Sequence, residues 1–165
     1  AFQKLQKTAS KDNSWEVHNM SLGERDGEST INISKNSVSS SILKDLPQLT
    51  ESAPEATFIK KEVITIKKLD SIFKDLKITG KNIYLKIDTQ GYEKMVLDGA
   101  IESLKNITGI QIEMALIPSY EGSLTFEEMS AYLKKLSFKL TTIESGHYNK
   151  KTGKLLEVDG VFFKN

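Results

Sequence analysis

No cysteine occurs among the 165 residues. That absence excludes disulfides, thiolate metal sites and a cysteine nucleophile, and it fits a reducing compartment. Histidine is scarce: His18 and His147 are too far apart to form a zinc motif. Charge of one sign is lacking too. The net charge is +1, so no global field draws the chain to nucleic acid or to an anionic membrane. No apolar run approaches the roughly 20 residues of a membrane span. No charged-then-apolar region opens the chain as a secretory signal would. The expectation is a cytoplasmic protein with neither nucleic acid nor membrane as partner. There is no Gly-x-Ser-x-Gly elbow and no phosphate loop.

What is present suits one domain with a real core: 38% apolar and 27% charged residues, the usual balance of a soluble fold. Lysine pairs at 60–61, 67–68, 134–135 and 150–151 are dispersed and read as solvated faces. Phe2 to Lys11 reads as a helix, and Trp15 to Leu22 as a strand with Trp15 in the core. Arg25-Asp26-Gly27-Glu28 reads as a hairpin turn, with Ser29 to Ile33 as the return strand. The serine-rich, proline-marked segment 34–57 reads as a loop or flap. Phe58 to Ile66 reads as a further strand. Leu69, Ile72, Phe73 and Leu76 form a helical stripe closed by Gly80.

From residue 81 the pattern sharpens. Ile83, Leu85 and Ile87 alternate along a strand. Val96, Leu97, Ala100, Ile101 and Leu104 form a helix face. Ile110, Ile112 and Met114 alternate along another strand. Thr125-Phe126-Glu127-Glu128 is a capping box opening a helix, Phe138 to Ile143 is a strand, and Leu155 to Phe163 returns antiparallel. Strands linked by helices pair in parallel. The predicted fold class is therefore α/β, a Rossmann-like, mostly parallel sheet ending in an antiparallel hairpin.

Lys86-Ile87-Asp88-Thr89-Gln90-Gly91-Tyr92-Glu93 is the most informative stretch. It sets a carboxylate at the end of a strand, beside a glycine turn and a helix start, where open α/β sheets bind ligands. Together with Val96-Leu97-Asp98-Gly99-Ala100, it resembles the hallmark of the FkbM-type methyltransferases, a class I family. Val17 to Gly23 with Asp26-Gly27-Glu28 resembles that family's third strand and turn. Ile112-Glu113, Tyr120-Glu121-Gly122 and Asp159-Gly160-Val161-Phe162-Phe163 resemble its fifth strand, substrate loop and closing strand. The resemblance implies O-methylation by S-adenosylmethionine of a hydroxyl on a sugar or secondary-metabolite-type small molecule, with no metal. It implies that Asn19, Met20 and Ser21 line the adenine pocket, that Asp88 stands next to the methyl donor in the cofactor site, and that Glu93 touches substrate; Thr89 and Gln90 form the loop and can touch the cofactor, and Tyr120 either touches substrate or is an exposed structural tyrosine.

The family's Asp-x-Gly-x-Asn-x-Gly loop does not occur in this sequence. The chain then corresponds to one partial domain over 1–165, the C-terminal part of a longer enzyme whose N-terminal strands and Gly-rich loop are missing. An upstream segment or a partner chain, such as the second copy in a homodimer, would fill the gap. The rival reading is a non-catalytic remnant that works through a partner.

Asp88 and Glu113 are the candidate catalytic pair. Methyl transfer from a sulfonium needs alignment and a deprotonated oxygen, and a carboxylate serves both. Asp88 also suits a helix N-cap. Glu113, one residue from the end of its strand, would meet Asp88 across neighbouring strands and share a proton or a cation with it, or else form an ordinary salt bridge. Glu93 suits the helix dipole as well as a site role. His147 lies in a Gly-His-Tyr-Asn turn, where it serves as a base only if that turn folds over the site.

Overall fold

The structure is a computed structural model describing residues 2–76, 78, 80 and 82–164. In chain order the elements are α1 (Phe2–Ala9), β1 (Ser21–Leu22), β2 (Gly27–Ser34), α2 (Pro47–Ser52), β3 (Phe58–Lys67), α3 (Leu69–Ile72), β4 (Ile83–Ile87), α4 (Glu93–Asp98), β5 (Ile107–Ala115), α5 (Phe126–Lys135), β6 (Phe138–Ser145) and β7 (Glu157–Lys164). Short 3₁₀ turns cover Pro54–Ala56 and Ser103–Asn106.

Two sheets form. One has the order β1-β3-β2 and the other β4-β5-β7-β6. The class is α/β, as the sequence predicts, but the sheets are mixed and not mostly parallel. In the second sheet β4 and β5 pair in parallel, while β7 runs antiparallel to both β5 and β6. The reason is topological. α5 carries the chain from β5 over to β6, so those two strands run in the same direction. β7 then returns through a turn without a helix and inserts between them, replacing a parallel contact with two antiparallel ones.

The predicted 25–28 hairpin does not form, because β3 lies between β1 and β2. Asp26 is used otherwise: its Oδ1 accepts the Lys68 backbone N–H at 2.8 Å, tying the turn to the end of β3. The strand expected from Trp15 shrinks to Ser21–Leu22, and Trp15 is 44% exposed, not core. Segment 34–57 carries α2 and a 3₁₀ turn, whose Leu49, Ala53 and Ala56 are buried with Tyr120.

The main core fills the space between the second sheet and its helices. Ile87, Ile110, Ile112, Met114 and Phe162 meet Val96 and Leu97 of α4 and Met129 and Leu133 of α5. Leu97 and Leu133 are fully buried, each contributing about 1.5–3 kcal/mol of transfer free energy. The capping box is present: Thr125 Oγ1 accepts from Glu128 N, and the Glu128 carboxylate accepts from Thr125 N. It fixes where α5 starts. α4 is shorter than the predicted helix face, which breaks at Gly99 and continues as the Ser103–Asn106 turn.

Candidate active site

The site grows from one strained turn. After β4 the chain passes through Asp88 and Thr89 into Gln90 at φ 55° and Gly91 at φ 94°. Left-handed backbone costs a residue other than glycine on the order of 1–2 kcal/mol, so Gln90 is held there by its surroundings. Ser41 Oγ donates to the Gln90 carbonyl at 2.7 Å. Glu93 Oε1 accepts from Thr89 N, Thr89 Oγ1 and Gly91 N at 2.9, 3.1 and 3.1 Å. Gly91 is required twice, for its φ and because a Cβ would lie 2.9 Å from Tyr120 Cβ.

The turn aims the Gln90 side chain at the two predicted carboxylates. Its Nε2 donates to Asp88 Oδ1 at 3.0 Å and to Glu113 Oε2 at 2.9 Å. Its Oε1 accepts from the Tyr120 hydroxyl at 2.9 Å, and that hydroxyl also lies 3.1 Å from the Ser39 carbonyl. Gln90 thus joins Asp88, Glu113 and Tyr120 into one network. A side-chain amide with both ends occupied cannot rotate freely, so the carboxylate positions are fixed.

Two clefts meet at Asp88. The first, about 370 Å³, is bordered by Met20, Leu22, Ile42, Ile87, Asp88 and Thr89. The second, about 530 Å³, is lined by Asp88, Gln90, Glu113, Glu157, Ser39 and Ser52. Asp88 is exposed and lines both. Met20, Ser21 and Thr89 line the first cleft, as does Asp88. Asn19 lies apart, beside His18 and Glu62. Gln90 borders the second cleft and not the first. Tyr120 is 2% exposed and acts from behind, through Gln90. Glu93 lines neither large cleft, because its carboxylate is spent on the turn.

Sequence reasoning missed Glu157. It enters from β7, where Ala115 is its cross-strand partner and Glu113 lies diagonally on the same face. Its signal was a carboxylate inside the apolar run Leu155-Leu156-Glu157-Val158, since Glu is almost never fully buried without a reason. Lys150 and Lys151 were missed as well. They are exposed, as the sequence predicts, and also line the second cleft together with His147.

Burial and the neighbouring Glu157 and Asp88 push Glu113 up to about 9. Burial also raises Glu93 and, with the Asp88 charge, Glu157; Ser119 and the His147 imidazole oppose the shift of Glu157. Burial thus favours the protonated form of Glu113, whose Oε2 accepts from Gln90 Nε2. The sign for stability follows. The folded chain keeps a proton that the unfolded chain releases above the ordinary value of 4.5, so stability falls as pH rises from about 4.5 to about 9. Glu113→Gln, which mimics the protonated acid, is expected to raise the melting temperature at the alkaline end and to flatten this fall. Thermal melts of both proteins across that window check it, and an unchanged slope contradicts the assignment.

A family model described as Methyltransferase FkbM domain matches residues 2–140. No match is found among curated proteins or among solved structures.

Proposed function

Because the chain belongs to the FkbM methyltransferase domain family, we propose that it transfers a methyl group from S-adenosylmethionine to a hydroxyl of a sugar or secondary-metabolite-type small molecule. The observation that carries this reading is Asp88, a carboxylate on the shared border of two clefts. A methyl transfer needs donor and acceptor on opposite sides of one reacting point, and a carboxylate at that point serves the proton.

The first cleft suits the donor. Met20, Leu22 and Ile42 offer apolar surface for a purine, and Asp88 offers negative charge toward a sulfonium. Bound there, the donor supplies an electrophilic methyl group. The rest is the work of this chain. Asp88 Oδ1 is occupied by Gln90, leaving Oδ2 to hold the acceptor hydroxyl. In the transfer the O–C bond would form as the methyl carbon–sulfur bond breaks, the sulfur leaving with the bonding pair as the neutral thioether of S-adenosylhomocysteine, and Asp88 Oδ2 would take the hydroxyl proton. Protonated Glu113, linked through the same amide, adds no second negative charge to repel the one on Asp88. Tyr120, pushed far above the ordinary phenol range by burial and by Glu157, stays neutral and keeps Gln90 in place.

Calorimetric titration with S-adenosylhomocysteine tests the reading. Micromolar binding, about −8 kcal/mol, is expected, and Met20→Asp should weaken it by at least about tenfold, since an unpaired charge would be buried against the ring. Absence of binding favours the rival, a methyltransferase-like module that acts through a partner.

A further inference from the structure

We propose that a small cavity, which shares Glu113 and Glu157 with the second cleft, is a binding site for a single water molecule held by Ser119, Glu113 and Glu157. The inference concerns the wall of the carboxylate network and holds whatever reaction Asp88 serves.

The cavity measures about 10 Å³, and its walls include Gly91, Glu93, Glu113, Ser119 and Glu157. That is close to the smallest volume that admits one water. Every residue around it is buried or half-buried. Separate elements bring these groups together. Glu93 opens α4, and Glu113 lies near the end of β5. Ser119 follows β5 in a loop pinned by Leu46 N on the Ser119 carbonyl at 2.9 Å. Glu157 starts β7 opposite Ala115, which puts it on the same sheet face as Glu113.

The polar atoms at this point lack protein partners. Ser119 is 2% exposed, and among the described residues its Oγ has no hydrogen-bond partner. Ser119 stands beside Glu157 and opposes the upward pKa shift of that acid, so hydroxyl and carboxyl group are neighbours that do not bond directly. Among the described residues no hydrogen bond reaches the Glu157 carboxyl group, and Glu113 accepts only on Oε2, from Gln90 Nε2. Glu93 Oε1 is occupied by the turn. Buried polar groups in folded chains are nearly always satisfied, and leaving them dry is costly.

A water molecule has the complement these groups need. It donates two hydrogen bonds and accepts two, and Ser119 can rotate its hydroxyl to give or take one. A metal ion is a poorer match: among the described residues no three carboxylate or imidazole groups are placed to hold one. Bound there, the water gives Glu113 a second tether besides Gln90 and links it to Glu157. The two acids then titrate as a pair and not singly.

The test is a crystal structure of the full chain grown without added divalent cations, together with water–amide cross-relaxation in solution. One density peak is expected within about 3.2 Å of Ser119 Oγ and of a carboxyl oxygen of Glu113 or Glu157. In solution, the amides of Gly91 and Ser119 should report a long-lived water. Ser119→Val, which puts methyl groups into the cavity, should abolish that signal. Ser119→Ala, which removes one partner of the water, should weaken it, and decides the matter if Ser119→Val does not fold. A direct Ser119–Glu157 hydrogen bond with no peak between them overturns the proposal. So does a peak with several oxygens at about 2.0–2.6 Å, the mark of a cation. So does a solution signal that is absent from the wild type or unchanged in the folded variants.

Discussion

Asp88→Asn is expected to slow methyl transfer by about 10²–10⁴-fold, the usual range for losing a positioned general base. The amide keeps the size of the carboxylate and can still accept the Gln90 hydrogen bond on Oδ1. It cannot take the hydroxyl proton. The loss should fall on kcat, with KM for the acceptor and affinity for S-adenosylhomocysteine changed only slightly, because Asp88 is exposed and its replacement removes little apolar contact. Glu113→Gln is the informative comparison. Because burial favours the protonated form of Glu113, its amide is a close mimic and most of the rate should survive. Steady-state kinetics of the two variants side by side decide the matter. A kcat for Asp88→Asn within a factor of two or so of wild type, or a deeper loss in Glu113→Gln than in Asp88→Asn, would remove Asp88 from the role of base.

The second large effect concerns the join between the sheets. Gly99 caps α4, and a Cβ placed on it would lie 1.9 Å from the Gly23 carbonyl oxygen and 2.9 Å from the Gly23 carbonyl carbon. Both are backbone atoms, so no side chain can swing aside. Gly23 is itself fixed by its N–H to the Lys67 carbonyl at 2.9 Å, and the Gly99 carbonyl accepts from Asp70 N at 3.0 Å. Gly99→Ala must therefore push the turn after β1 away from α4. Overpacking a tight site costs typically about 1–3 kcal/mol, and a contact between backbones belongs above that range. Against a total stability of about 5–15 kcal/mol, the variant should melt roughly 10 °C lower, at about 2–4 °C per kcal/mol for a chain of this size. Denaturant and thermal unfolding measure it. A destabilisation under about 1 kcal/mol would mean that the contact is looser than the structure has it.

The second sheet was legible because its signals are local. The alternation at Ile83–Ile87 and Ile110–Met114 and the Thr125–Glu128 capping box each fix an element within a few residues. The first sheet was misread for the opposite reason. Asp26-Gly27 has the chemistry of a hairpin turn, but the Asp26 carboxylate is claimed by Lys68 N, more than forty positions away. β3 then takes the place beside β1 that a hairpin would have given to β2. The mostly parallel sheet failed on strand order, which no local pattern carries.

At the site, the position of Asp88 followed from strand and turn alone, and that of Glu113 from its place near the end of the neighbouring strand. The link between them did not. Gln90 reaches both because of a left-handed backbone that propensity disfavours at such a residue. Lys150 and Lys151 come from the connection after β6, and Glu157 from the start of β7, after six strands have been laid down. Only the folded order brings them beside Asp88.

The two sheets are contiguous in sequence as well as in space: all of the first lies between Ser21 and Lys67, and all of the second between Ile83 and Lys164. Each block can close its own strand pairings without waiting for the other, so the chain has the makings of two cooperative folding units. They are joined by the Gly23–Gly99 abutment, by Ser41 Oγ on the Gln90 carbonyl, by Leu46 N on the Ser119 carbonyl, by Glu121 N on the Lys44 carbonyl and by the Tyr92 hydroxyl on Glu24. The first cleft has Met20, Leu22 and Ile31 from one block and Ile87 and Asp88 from the other. A ligand bound there would clamp the two units together, so that occupancy of the cleft and docking of the halves become a single linked equilibrium.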